Sequence, residues 1–143
     1  MNRVHRLIGC VALAWLTTIG ATLIAQTPAP PKAVPADAKK MKAAVASSPA
    51  AIEAGKGLYA KYCRFCHGNT GAGDSTMAPK NMKPSNLTDT TWTRGSSEGE
   101  IFWIIQNGAP PEYHMKGLKG KVSDTDTWNL VHFVRSLGGV PKP

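Results

Sequence analysis

Cys63-Arg64-Phe65-Cys66-His67 is the stretch on which the reading of this sequence turns, because two thiols and an imidazole fall within about one helical turn. On a helix, residues three and four apart share a face. Cys63 and Cys66 therefore present two sulfurs side by side, and His67, four residues after Cys63, adds a ring nitrogen on the same side. C-x-x-C-H is the attachment signature of a c-type haem: the thiols take the two vinyl groups and the histidine takes the iron. Other uses of the motif fit poorly. A structural zinc needs four ligands, usually from a second pair downstream, and Cys10, His114 and His132 do not supply one. A thioredoxin-like pair needs a βαβ context, which is not visible. A disulfide between positions this close on a helix is a poor geometric match.

Upstream of the motif, Ser48-Pro49 starts a helix, serine as N-cap and proline at the first helical position. Ile52, Gly55, Tyr59, Tyr62, Cys63 and Cys66 recur on it at three- and four-residue spacings, and it is expected to end at the haem motif. Gly55 in its interior is disfavoured by roughly 1 kcal/mol against alanine, which a close helix crossing would explain. Downstream, residues 68–89 hold Gly68, Gly71, Gly73, Pro79 and Pro84 without periodicity and read as a loop. Ser97-x-x-Glu100 is a capping box for a second helix carrying Ile101, Trp103, Ile104 and Ile105, stopped at Asn107-Gly108. Residues 109–122 form another loop, with His114 and Met115. Ser123-x-x-Asp126 caps a third helix with Trp128, Leu130, Val131, Phe133, Val134 and Leu137, closed by Gly138-Gly139. No strand of usable length is predicted. Loops this long are uncommon in a compact domain unless something fills their centre.

The 143 residues suffice for one small domain. Arg3 and Arg6 followed by an uncharged run from Leu7 to Ala25 predict an export leader over residues 1–25. Its 19 uncharged residues are also long enough for an anchor helix, so cleavage and retention both stay open. Residues 26–47, rich in Pro, Ala and Lys, predict a flexible tether. The haem domain is placed at 48–139 and a tail at 140–143. The net charge of +8 is spread along the chain, with 11 basic against 8 acidic groups in residues 52–143. That leaves no basic stripe of the kind nucleic acid requires.

These residues resemble the monohaem class I cytochrome c family. Gly55, Tyr59, Cys63-x-x-Cys66-His67-Gly68, Gly71 and Gly73 are similar to its N-terminal helix and haem loop, and Ala78-Pro79 to Asp89 to the loop lining the proximal side. Trp128 to Leu137 resembles its C-terminal helix. The resemblance implies an all-α small class I cytochrome c fold, with three main helices and long loops wrapped around one covalent haem c. It implies that Gly55 and Tyr59 meet Leu130 and Phe133 where the terminal helices cross. It further implies a methionine as sixth iron ligand from the loop before the last helix. Met115 stands there, whereas Met77 and Met82 follow His67 by only 10 and 15 residues. His114 is the rival ligand, and Lys116 replaces the proline usual after that methionine. Pro79, with Pro84 as the alternative, is expected to accept the second ring N–H of His67 through its carbonyl. Trp92 is a candidate for the crevice wall, Trp103 and Trp128 for the core, and His132 for the helix surface or boundary.

The expected function is an extracytoplasmic one-electron carrier, in the periplasm or on the outer face of the cytoplasmic membrane. The alternative is a haem c subunit or module of a larger oxidoreductase, and a ligand-binding or sensing haem protein is a third reading. Expected partners are redox proteins with acidic docking surfaces that meet Lys116, Lys119 and Lys121, for which simple solvation is the competing role. Nucleic acid is excluded, and membrane contact depends on a retained leader. The chain is expected as a monomer or a complex subunit. No catalytic residue is assigned.

Overall fold

A computed structural model describes residues 33–138; the expected leader, residues 26–32 of the expected tether and the 140–143 tail lie outside the described residues. Four α-helices follow in order: α1 (Pro49–Tyr62), α2 (Arg64–His67), α3 (Glu98–Asn107) and α4 (Asp124–Ser136). Each long helix begins where a serine can satisfy an otherwise unpaired amide. Ser48 Oγ accepts from the Ala51 N–H at 3.1 Å and Ser123 Oγ from the Asp126 N–H at 3.1 Å. Ser97 makes the full capping box, with the Glu100 carboxylate returning to the Ser97 N–H at 3.0 Å. Strand pairing among the described residues is limited to two isolated bridges, Gly108 with Lys116 and Lys119 with Val122.

The first helix ends at the haem motif, as expected: α1 closes at Tyr62, and Cys63, at φ −115°, ψ −39°, joins it to the single turn of α2 while its N–H still reaches the Tyr59 carbonyl at 2.9 Å.

The core forms where α4 crosses α1. A Cβ at Gly55 would overlap the Asn129 carbonyl oxygen and crowd the Phe133 Cβ, so glycine is what lets the two backbones touch. Beside it the Tyr59 and Phe133 rings meet at 5.1 Å between centroids. Leu130 and Val131 are fully buried, and Trp128 stacks on Phe102 of α3 at 4.2 Å. Trp103 is only partly buried. The polar gap between α3 and α4 is closed by Gln106, whose Nε2 donates to Thr127 Oγ1 at 2.6 Å.

The stretch ahead of Ser48 departs from the tether expectation. A 3-10 turn at Ala38–Lys40 lies across α3, with Ala38 buried and its carbonyl against Gly99, where any Cβ would overlap it. Further along, the Val45 carbonyl accepts from Nε2 of His132 at 2.8 Å. His132 is thus a buried residue and not a surface one, since its N–H has a backbone acceptor in the core. Residues 38–45 form a strap, and the packed region starts about ten residues before the predicted boundary. Alanine and valine bury little surface each, so composition alone gave this segment no helical or strand signal.

Candidate haem site

A crevice opens between α1/α2 on one side and α3, α4 and the 109–118 loop on the other. Its inner part encloses about 770 Å³ and its outer part about 1270 Å³, mouth included. Cys63, His67, Arg94, Ile105, Ala109 and Met115 border both parts. Ile101, Ile104, Leu130 and Val134 complete the inner wall with apolar side chains, beside Trp92. Cys66, Phe65, Met82, His114 and Lys116 border the outer part. The structure thus brings Cys63, Cys66, His67 and Met115 to one cavity, with His114 at its outer side. Lys119 and Lys121 border neither part; both are exposed in the turn that precedes α4.

His67 is oriented by a backbone carbonyl. Its Nδ1 lies 3.0 Å from the carbonyl oxygen of Ser85, which can only accept, so Nδ1 carries the proton and Nε2 keeps its lone pair. This is the arrangement found behind metal-bound histidines. The partner is Ser85, one residue beyond Pro84, and neither the expected Pro79 nor Pro84 carbonyl takes that role. Pro79 borders the outer crevice instead. The loop turns at Gly73, where a Cβ would press on the Pro84 and Ser85 backbone, and this approach sets which carbonyl faces the ring. Burial lowers the His67 pKa below its ordinary value, with the Ser85 contact opposing it, so the ring is neutral near pH 7.

The two cysteines are free thiols. Burial, and after it the neighbouring Cys66, pushes the Cys63 thiol up to about 12. Tyr59 is likewise pushed to about 12, by burial first and then by Cys63 and Asp74. It stays a donor, giving its hydroxyl proton to the Gly68 carbonyl at 2.7 Å and so tying α1 to the backbone next to His67. Met115 sits on a loop closed by its own backbone: the Ala109 N–H donates to the Met115 carbonyl at 3.0 Å, and Tyr113 N–H returns to Ala109 at 2.9 Å. Sequence reasoning missed Arg94 and Ser85. No local rule marks either, because both reach the crevice through loop placement.

The donor set suits a covalent haem: two thiols on one wall, a neutral imidazole with a free Nε2, a thioether bordering the same cavity, and an apolar interior for a flat macrocycle.

Comparison with known proteins agrees. The family model described as cytochrome C oxidase, cbb3-type, subunit III, matches residues 50–134. A cbb3-type cytochrome c oxidase subunit FixPc of Rhizobium leguminosarum bv. viciae is 34% identical over 93 residues, 65% of this chain. The chain spans about 30% of the length of that relative. Among solved structures, the Kuenenia stuttgartiensis reducing HAO-like protein complex Kustc0457/Kustc0458 aligns with a TM-score of 0.61 at 26% identity. That alignment covers 68% of this chain and 49% of the other. Cytochrome cL of Methylophaga aminisulfidivorans aligns at 0.51 and 24% identity, over 63% and 55%, and shares the fold. The family match extends over more than half of the sequence and takes in the haem motif, α3 and nearly all of α4, and the chain belongs to the cbb3-type cytochrome c oxidase subunit III family of class I c-type cytochrome domains.

Proposed function

We propose that this chain is an extracytoplasmic electron-transfer domain with one covalent haem c, working as a subunit or module of a larger oxidoreductase. The observation that carries the haem is the common cavity of Cys63, His67 and Met115. What favours a subunit over the freely diffusing carrier expected from sequence is that the matched relatives are named as oxidase subunits. Export is supported by Arg3, Arg6 and the uncharged run to Ala25. No helix among the described residues is long and apolar enough to cross a membrane.

Cys63 and Cys66 would hold the group through thioethers, His67 through Nε2 and Met115 through its sulfur. When bound, the haem iron supplies a ferrous/ferric one-electron couple whose potential a methionine ligand raises. The chain's own residues do the rest. The Ser85 carbonyl fixes the His67 tautomer and ring direction. Ile101, Ile104, Ile105, Leu130 and Val134 keep water from the inner cavity, and a low-dielectric surrounding strengthens every charge effect on the site. Lys116 at the outer mouth, with the exposed Lys119 and Lys121, offers positive charge to an acidic redox partner.

The test is purification of the tagged full chain from its native host in mild detergent. Haem-stained chain migrating with an oxidoreductase is the expected result, and a haem-loaded chain found only as free monomer would overturn the subunit reading. An optical spectrum reads the ligands: the far-red sulfur-to-iron band is lost in Met115→Ala, and its persistence would reject Met115. Charge reversal at all three lysines slows electron transfer in a salt-dependent way, and unchanged rates would remove the docking role.

A further inference from the structure

We propose that Arg94 is the carboxylate-binding residue of the crevice, the group that takes the propionate side chains of the haem. This rests on the haem reading above. Arg94 is the one Arg or Lys among the residues bordering the inner crevice, and it borders the outer part as well. Lys83 and Lys116 border the outer part alone. A macrocycle with two acidic side chains that enters a largely apolar cavity needs a cation where those side chains end, because a buried unpaired carboxylate is strongly disfavoured.

Arg94 is braced for that task. Its Nε–H donates to the Pro110 carbonyl at 2.6 Å, which fixes the side chain against the loop that leads to Met115. Its Nη2 lies 3.6 Å from Glu112, whose side chain is 54% exposed, against 36% for Arg94. A long pair with an exposed carboxylate is screened by solvent and contributes little. A guanidinium carries five N–H donors in a planar fork that matches a carboxylate, more than these two contacts engage. The backbone on either side is also held: Trp92 Nε1–H donates to the Asp89 carbonyl at 3.1 Å, and the Glu100 carboxylate packs against Gly95 while capping α3. Thr91 and Thr93 border the same inner cavity beside Arg94, and Ser85 and Asn86 add polar groups from the loop ahead of them, so the cation sits on a polar stretch of an otherwise largely apolar wall.

The test uses the haem-loaded full chain. A positive charge in the pocket that offsets the propionates favours the ferrous state, so Arg94→Gln lowers the midpoint potential while the far-red sulfur band stays in place, and Arg94→Lys restores most of the potential. A merely structural role for Arg94 would disturb the band or the haem content and leave the potential of loaded molecules unmoved. A loaded Arg94→Gln protein with wild-type potential overturns the proposal. If Arg94→Gln does not load haem, the resonance Raman propionate bending modes of Arg94→Lys decide: a displacement from wild type supports the assignment, and unchanged modes overturn it. Wild-type chain exported without covalent haem would instead defeat the haem reading itself, before any Arg94 variant is read.

Discussion

Where α4 crosses α1, backbone meets backbone at Gly55, the Tyr59 and Phe133 rings close in, and Leu130 and Val131 are sealed from water. The crevice beside it is bordered by the 79–95 and 109–118 stretches, which hold themselves by single turns and scattered hydrogen bonds. The crossing is held by helix packing. The crevice is held by loops that gather apolar and ligating side chains around one cavity. One small domain thus combines a half fixed by helices with a half fixed by turns.

Substitutions can separate the two halves. The largest effect falls on the crossing. Gly55→Ala forces α4 away from α1 through a backbone clash that no rotamer relieves, and costs at least about 3 kcal/mol in urea denaturation of the unloaded chain. A cost below about 1 kcal/mol would mean the crossing is looser than described. Gly99→Ala introduces a similar clash with Ala38, but a strap can lift where a helix cannot. It costs about 1–2 kcal/mol and makes residues 38–45 more open to proteolysis, without quickening amide exchange in α1. Tyr59→Phe removes the link between the halves, the hydrogen bond to Gly68. It costs about 1 kcal/mol, and hydrogen exchange should quicken around residues 68–73 more than in α4.

The smallest effect is the pH response of the crevice. Burial lowers the His67 pKa in the folded chain, so the unfolded chain binds more protons as the medium acidifies. His67 therefore contributes stability that is fully present above its unfolded value of about 6.5 and is lost as pH falls through the lower folded one. Urea midpoints of the unloaded wild type should drop more between neutral and mildly acid pH than those of His67→Gln. Equal drops would remove His67 as the source.

The three long helices were legible because capping is a local act. Ser48, Ser97 and Ser123 each bond an amide three residues on, a distance any sequence window contains. Gly55 was legible for a different reason: a glycine in a strong helix pattern asks for a close neighbour, and α4 is that neighbour. Gly99 asked the same question two residues after Ser97, and its answer, the strap, lay more than 50 residues upstream in a segment with no periodicity. The Ser85 carbonyl is 18 residues from His67, and only the turn geometry of the intervening loop decides between it and its proline neighbour. Arg94 gave no pattern at all, since its role depends on two loops converging.

The strap also shortens the leash. If the leader stays in a membrane, residues 26–37 and not 26–47 separate it from the fastened segment, because the chain is held from Ala38 onward. Twelve residues reach at most about 40 Å even when drawn straight. An electron donor or acceptor would then have to meet this domain close to the lipid surface, within a radius roughly half of what the full spacer would sweep.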